Sequence, residues 1–170
     1  MRGENMQKIL IVDLDNCYTD SREWLKRAPQ VTEENKDEAR SLWDKFHSLS
    51  HLAKPNKSII DLISTLGFFF PVFFLTSRED RGCNREVTKK QIADFSEGRV
   101  KVEGNNKLLM REDCDYRPSD EVKQDMIRTL LMDCEPVLAI DDDLANCRMF
   151  KRHKIPTYKY DIEKDIFEKV

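Results

Sequence analysis

The chain has 170 residues, 39% of them hydrophobic, which suffices for the core of one domain and predicts a single domain over residues 1–170. Its 29 basic and 32 acidic residues nearly cancel, so the composition argues against a protein that coats long nucleic acids through a generally cationic surface. Five cysteines without a CxxC pair, and no signal-peptide or membrane-length apolar run, argue against disulfide-framework, zinc and membrane proteins and predict a cytoplasmic location.

The first predicted element is a buried strand at residues 9–12, which runs directly into two acids, Asp13 and Asp15. The carboxyl ends of parallel strands line the crevice where ligands bind, and a spacing of two aims both side chains to one side of the strand. One carboxylate could then attack phosphorus while the other transfers a proton, which is an arrangement suited to phosphoryl transfer. The same two acids could instead cap a helix or start a turn, so the pair alone is weak evidence.

The next segment, residues 21–53, is densely charged and carries apolar residues at helical spacings, which predicts one or two amphipathic helices. They could form a small helical cap over a site or a structural hairpin at the sheet edge. A helix at 57–66 follows, with Gly67 suited to its end. Residues 68–75 are rich in phenylalanine and predict a buried strand over this range, with Pro71 near its start, which ends in Thr76-Ser77-Arg78.

The second half of the chain continues the alternation of strands and helices. The patterns predict helices at about 85–95, 119–131 and 144–151, and strands at 107–110, 136–140 and 157–160. The strand at 136–140 again ends in acids, Asp141 and Asp142. This order predicts an α/β fold, a doubly wound three-layer sandwich with a central parallel sheet and a small helical cap insertion at 21–53.

Reactive groups therefore follow three predicted strands, and a parallel sheet should bring them together at one edge. Carboxylates and a hydroxyl without a Cys/His cluster make a hard-oxygen site of the kind that holds Mg²⁺ with a substrate phosphate. A cation is also needed against the charge of the phosphate, and Lys123, in the first turn of its predicted helix, is a candidate. The commoner fate of a helical lysine is a solvated surface position.

The ordered set of these residues resembles the four motifs of the haloacid dehalogenase superfamily, with Asp13-Leu14-Asp15, Thr76, Lys123 and Asp141-Asp142 in the matching order and spacing. A narrower resemblance is to the phosphatase domain of phage polynucleotide kinase/phosphatases. It rests on Thr76-Ser77-Arg78-Glu79, on the gapless run from Arg111 to Lys123 that contains Arg117, and on Ala139-Ile140-Asp141-Asp142.

The resemblance implies a Mg²⁺-dependent phosphomonoesterase that acts through an aspartyl-phosphate. Asp13 would be the nucleophile and Asp15 the general acid/base, and Thr76 and Lys123 would bind the transferred phosphoryl group. The metal would be held by Asp13, the backbone carbonyl of Asp15, Asp141 and Asp142. Ser77, Arg78, Arg111 and Arg117 would lie near the substrate, although each arginine could equally be a surface salt-bridge residue.

Several alternatives stay open from the sequence. The substrate could be a nucleic-acid 3′-phosphate end, as the narrower resemblance implies, or a free nucleoside monophosphate, which the near-neutral charge favours. A sugar-phosphate phosphatase or phosphomutase uses the same core, and a non-catalytic interaction module is a remote possibility. One departure from the family pattern is that Asn16-Cys17 follows Asp15, where the family usually has Gly-Thr.

Overall fold

The computed structural model describes residues 6–30, 32, 34 and 38–170. Residues 31, 33 and 35–37 of the predicted insertion lie outside the described part of the chain. The described strands are β1 (Gln7–Asp13), β2 (Thr19–Asp20), β3 (Lys54–Pro55), β4 (Val72–Glu79), β5 (Lys107–Arg111), β6 (Cys134–Asp141), β7 (Thr157–Asp161) and β8 (Ile166–Lys169). The α-helices are α1 (Arg22–Leu25), α2 (Ala39–Ser48), α3 (Lys57–Leu66), α4 (Asn84–Phe95), α5 (Ser119–Leu130) and α6 (Leu144–Arg152), and a 3-10 helix spans Leu49–Leu52.

The central sheet has six strands in the order β5-β4-β1-β6-β7-β8. All neighbours pair in parallel except β7 and β8, which form an antiparallel pair at one edge. The sequence prediction missed β8 and the two-residue strands β2 and β3, which pair with each other at the two ends of the 21–53 segment. None of the helices in the described ranges has the length and apolar character needed to cross a membrane.

The sheet lies between two helical layers because alternate residues of β1 point to opposite faces. Leu10 and Val12 join a buried cluster with isoleucines of α3 and Ile92 of α4. Ile9 and Ile11 join a second cluster on the other face, with apolar residues of α5 and α6. This arrangement confirms the predicted α/β three-layer sandwich with a mostly parallel sheet.

The strand predicted at 68–75 was wrong at its beginning. Phe68 and Phe69 are 87% and 74% exposed and lie in turns that continue from α3, with the Phe69 backbone N–H bonded to the Leu66 carbonyl at 2.9 Å. Pro71 has no N–H to donate, so the ladder begins after it, although its carbonyl accepts from Leu10 at 2.9 Å. The apolar run therefore divides between an exposed turn and the buried strand β4.

The carboxyl end of β4 is irregular and extends beyond the predicted end. Thr76 pairs with Met110 of β5, but the next pair is Glu79 with Arg111, so Ser77 and Arg78 have no partners in β5. A bulge of this kind bends a strand and redirects its side chains. Here it directs Arg78 towards the end of the neighbouring strand β1 rather than outward from the sheet edge.

Candidate active site

Two acids and a lysine meet at the carboxyl end of the central strands. Asp13 ends β1 and Asp141 ends β6, and these strands are neighbours. Lys123 of α5 donates from Nζ to Asp13 Oδ1 at 2.5 Å and to Asp141 Oδ2 at 2.7 Å. The predicted convergence of strand ends is therefore present, and Lys123, which is only 1% exposed, is not a surface lysine.

Asp141 is held from the other side by the first turn of α6. Its Oδ1 accepts from the side-chain amide of Asn146 and from the backbone N–H of Asp143, both at 3.0 Å. Asp143 caps this helix by accepting from the backbone N–H groups of Ala145 and Asn146. Asn146 was not predicted from the sequence, although the capping Asp143 three residues before it marks the start of α6.

The charges of this cluster do not balance among the described side chains. Asp13, Asp141 and Asp142 can each offer one oxygen to a common point, with the oxygens within 4.8 Å of one another, and Lys123 is the cation in contact with the first two. Burial and the neighbouring carboxylates raise the pKa of Asp13 well above its usual value and that of Asp142 to about 7. With all three carboxylates ionised and one ammonium, two negative charges are left over, and the raised pKa values reflect the cost of that state. All the donors are hard oxygens, so the cluster fits a divalent cation such as Mg²⁺.

Lys123 itself stays protonated in this setting. Burial alone would lower its pKa, but the contacts with Asp13 and Asp141 outweigh burial and raise the pKa above its usual value. The lysine is therefore a fixed positive charge beside Asp13, in the position where a phosphoryl group would need one.

Asp15 lies in a separate set of contacts. Its Oδ1 accepts from the Ser21 hydroxyl at 2.6 Å, and its carboxylate accepts from Arg78 Nε at 2.9 Å and Nη2 at 2.6 Å. Burial would raise the pKa of Asp15, but the Arg78 guanidinium and the Ser21 hydroxyl outweigh burial and lower the pKa from its usual value. Ser21 carries no local sequence signal that would have linked it to Asp15.

Arg78 is buried and fully engaged by the protein. Besides its two bonds to Asp15, it donates from Nη1 to Gln91 Oε1 at 2.7 Å, and its guanidinium lies 4.6 Å from the ring centre of Trp24. Gln91 in turn donates to the backbone carbonyl of Ser50 at 2.9 Å. Arg78 therefore joins Asp15 to the 21–53 segment and is not a surface salt-bridge residue. It also lines the cavity, and its predicted contact with substrate stays a prediction.

Thr76 and Ser77 line the same site from the end of β4. The Thr76 side chain is buried, and its Oγ1 accepts from the Arg78 backbone N–H at 3.2 Å. The hydroxyls of Ser77 and Ser119 share a hydrogen bond of 2.6 Å, which ties the bulge to the first residue of α5. Thr76 thus lies where its hydroxyl can face a phosphoryl group, while Ser77 also fixes the helix that carries Lys123.

Arg111 and Arg117 line the cavity but are also bonded to the protein. Arg111 donates to the backbone carbonyls of Ser77, Asp115 and Arg117 at 2.9, 2.6 and 2.6 Å. Arg117 makes ion pairs with Asp115 at 2.7 Å and Asp125 at 2.8 Å, and its side-chain hydrogen bond to Asp115 lowers the pKa of that carboxyl to about 2. A contact of Arg111 and Arg117 with substrate therefore stays a prediction.

The replacement of Gly-Thr by Asn16-Cys17 has a local explanation for the first residue. Asn16 has a φ of 57°, in the left-handed region that glycine or asparagine tolerates. Cys17 is fully buried, and its thiol lies 3.9 Å from the Ile140 carbonyl, a contact at the limit for a sulfur donor. Asn16 therefore provides the turn that carries the chain from Asp15 back into the core.

The described part of the 21–53 segment, at residues 24–29 and 43–47, bounds a cavity of about 810 Å³ that reaches down to Asp13 and Lys123. Exposed ion pairs join α2 to the core on the same side. Arg40 pairs with Asp113 at 3.0 Å, Asp44 pairs with Arg81, and Arg81 lies 3.9 Å from Asp113. We call these four side chains the charge ring. That the 21–53 segment acts as a cap over the site stays a prediction.

No protein-family model and no curated protein matches this chain. Solved structures do match it. A chain of the Pnkp1/Rnl/Hen1 complex is 17% identical with a TM-score of 0.66, and the match covers 94% of this chain and 47% of that one. The chain thus spans about half the length of this relative.

Two other similar structures are matched over most of their own length. A haloacid dehalogenase-like hydrolase from Streptococcus pneumoniae is 14% identical with a TM-score of 0.60, covering 92% of this chain and 85% of that one. A haloacid dehalogenase family enzyme from Bacteroides thetaiotaomicron, solved as a magnesium complex, is 17% identical with a TM-score of 0.58. That match covers 95% of this chain and 96% of the other. The chain therefore has the fold of the haloacid dehalogenase-like hydrolases, as its four motifs predicted.

Proposed function

We propose that the chain is a Mg²⁺-dependent phosphomonoesterase that acts on nucleotide phosphates, with Asp13 as the nucleophile. The observation that carries the proposal is the bridge from Lys123 to Asp13 and Asp141 at the ends of adjacent strands. The bridge joins a carboxylate, a fixed cation and a further acid, and Thr76 lines the same cavity. Such a set can bind a phosphoryl group and attack it.

In the proposed first step, an oxygen of Asp13 attacks phosphorus and the bond between phosphorus and the leaving oxygen breaks. Asp15 gives its proton to that leaving oxygen, and the product is an aspartyl-phosphate with a released alcohol. Lys123 and the Thr76 hydroxyl face the equatorial oxygens, whose charge grows during the transfer.

In the second step, water attacks phosphorus, the aspartyl-phosphate bond breaks and inorganic phosphate leaves. Asp15 takes a proton from the attacking water and is then ready for another cycle. The Arg78 contact favours the ionised form of Asp15, which this step requires. The bond from Ser21 holds the same carboxylate in a fixed position.

We propose that Asp13, Asp141, Asp142 and the backbone carbonyl of Asp15 hold the Mg²⁺ ion. When bound, the ion neutralises charge on the phosphate and lowers the repulsion between the phosphate and the acids. We also propose that the 21–53 segment is the cap of this site, since it bounds the cavity and contacts Arg78 through Trp24.

If the acid cluster binds Mg²⁺, millimolar MgCl₂ should raise the melting temperature of the wild-type protein. Saturating a site about 100-fold above its dissociation constant adds about 2.7 kcal/mol to the free energy of unfolding, and each kcal/mol shifts the melting temperature by roughly 2–4 °C at this size. The shift should shrink in Asp142→Asn and persist in Asp94→Asn, which changes an exposed acid on α4 that is paired with Lys90. Equal shifts in all three proteins would contradict this site.

For the substrate, the first candidate is the phosphorylated 3′ end of a polynucleotide. Its support is the run from Arg111 to Lys123 and the similarity to the Pnkp1/Rnl/Hen1 RNA repair complex. An end needs few backbone contacts, so the near-neutral net charge is compatible with it.

The second candidate is a free nucleoside monophosphate. Arg78, Arg111 and Arg117, the three arginines that line the cavity, are each bonded to protein groups, which favours a substrate with a single phosphate over one with a charged backbone. A cavity of about 810 Å³ is within the size range of pockets for small molecules, roughly 300–1,000 Å³.

The two candidates are separated by phosphate release in MgCl₂ from a 3′-phosphorylated oligonucleotide and from nucleoside 3′- and 5′-monophosphates. We expect a higher kcat/KM for the oligonucleotide, with a steep decrease as salt rises because counterions are released when phosphates are contacted. A preference for mononucleotides that is insensitive to salt would support the second candidate. Release from none of these substrates would overturn the proposed function.

A further inference from the structure

The cavity contains a surface that the phosphoryl chemistry does not use. Its acidic end needs to hold only a phosphate and a metal ion, yet it extends along the side chains of Trp24, Trp43 and Phe46, all from the 21–53 segment. We call these three side chains the aromatic wall. A volume of about 810 Å³ leaves room for the organic part of a substrate beside this wall.

The aromatic wall is fixed before any ligand enters. Trp24 and Phe46 stack with ring centres 4.7 Å apart and an interplanar angle of 12°, and the indole N–H of Trp24 donates to the Phe46 carbonyl at 2.8 Å. Trp43 packs edge-on against Phe46, with ring centres 5.5 Å apart and an interplanar angle of 85°. Because Trp24 and Phe46 are buried and Trp43 is only half-buried, Trp43 is the member with ring surface left to contact a ligand.

The aromatic wall is also adjacent to the reacting groups. Trp24 lies under Arg78, and Arg78 is bonded to Asp15, so one side chain separates the wall from the proposed acid/base. A phosphoester that places its phosphorus at Asp13 would therefore extend its organic part towards Trp43. The exposed ring of Tyr116, in the loop after β5, lines the same cavity and could contact the same group.

We propose that the aromatic wall is a base subsite, in which the nucleobase of the substrate stacks on Trp43. This inference rests on the proposed function and names the part of the substrate that the cavity recognises. A planar π-system suits this surface, and stacking of a base on an aromatic side chain contributes about 1–3 kcal/mol with little dependence on which base it is. Trp43 then selects nucleotides over phosphoesters of small sugars without selecting among the bases.

The test measures binding rather than turnover, so that it does not depend on the chemistry. In Asp13→Asn protein with MgCl₂, calorimetry gives the dissociation constants of nucleoside 3′- and 5′-monophosphates and of ribose 5-phosphate, which lacks a base. We expect at least one nucleotide to bind about tenfold or more tightly than ribose 5-phosphate, since tenfold corresponds to about 1.4 kcal/mol. Adding Trp43→Leu should remove most of this preference, and adding Trp43→Phe should retain much of it.

Other outcomes distinguish this inference from the proposed function. Equal binding of the nucleotides and ribose 5-phosphate, or an equal loss for both in Trp43→Leu, would overturn the base subsite. The variant Phe68→Ala removes an exposed aromatic ring outside the cavity and should leave all dissociation constants unchanged. If wild-type protein binds nucleotides through Trp43 but releases no phosphate from them, the proposed function fails while the base subsite stands.

Discussion

Replacing Asp13 with asparagine should abolish phosphate release while leaving the protein folded. The amide keeps the shape of the side chain but cannot attack phosphorus, and removal of a catalytic nucleophile can lower kcat by about four to six orders of magnitude. The change also removes one of three clustered carboxylates, whose repulsion and burial raise the pKa of Asp13. The same change removes the Lys123–Asp13 ion pair, but Lys123 keeps its pair with Asp141 at 2.7 Å, so the two effects oppose each other. The melting temperature in Mg²⁺-free buffer should therefore be close to that of the wild type.

The measurement combines steady-state phosphate release with thermal unfolding of the same preparations. Asp94→Asn is the matched control, because it makes the same chemical change at an exposed position on α4. Its activity should equal that of the wild type. Retention of more than a few per cent of activity in Asp13→Asn would remove Asp13 from the role of nucleophile, whatever the substrate.

Changing Arg78 to lysine should lower kcat by about 10²-fold with little change in KM. Lysine keeps the charge but cannot present the planar fork that holds both oxygens of Asp15, and small displacements of a catalytic group can cost about 10²-fold in rate. We expect Arg78 to act as a positioning residue for Asp15, because it donates to both oxygens of that carboxylate. A direct substrate contact, as considered from the sequence, would instead raise KM with kcat nearly unchanged.

Measuring the free energy of unfolding of a second variant tests whether a loss of kcat comes from misplacement of Asp15 or from destabilisation of the fold. Arg78→Met removes one partner of a largely buried ion pair, which is expected to lower the free energy of unfolding by about 3–5 kcal/mol. Arg85→Lys is the matched control, since Arg85 also forms a forked pair, with Asp80, but outside the cavity. A loss of kcat in Arg85→Lys equal to that in Arg78→Lys would point to general destabilisation.

The fold was predictable from the sequence where a local pattern of apolar residues marks a strand or helix. The buried strands at β1 and β6 and the acids that follow them were visible in the sequence, and the topology then required their ends to meet. The beginning of β4 was not visible, because Phe68 and Phe69 have the composition of a buried strand yet lie in exposed turns. Strand β8 was missed because its residues are exposed throughout, which removes the apolar alternation that marks a strand.

The candidate site was predictable at its strand ends and not in its surroundings. The positions of Asp13, Lys123 and Asp141 follow from motif order and topology. The Arg78 contact with Asp15 depends on the bulge in β4, which is defined only by pairing with β5. Ser21 contacts Asp15 across 6 residues of sequence, and Gln91 contacts Arg78 across 13. No local sequence pattern predicts either contact.

The charge ring has a consequence for how salt effects on this protein are interpreted. A decrease of activity with ionic strength is normally taken as a count of phosphates contacted on a nucleic acid. Here α2 is joined to the loops after β4 and β5 by exposed ion pairs, which salt also weakens. The measured slope would then contain a contribution from opening of the protein itself. A mononucleotide has one phosphate and no charged backbone, so its salt dependence is the baseline to subtract from that of an oligonucleotide.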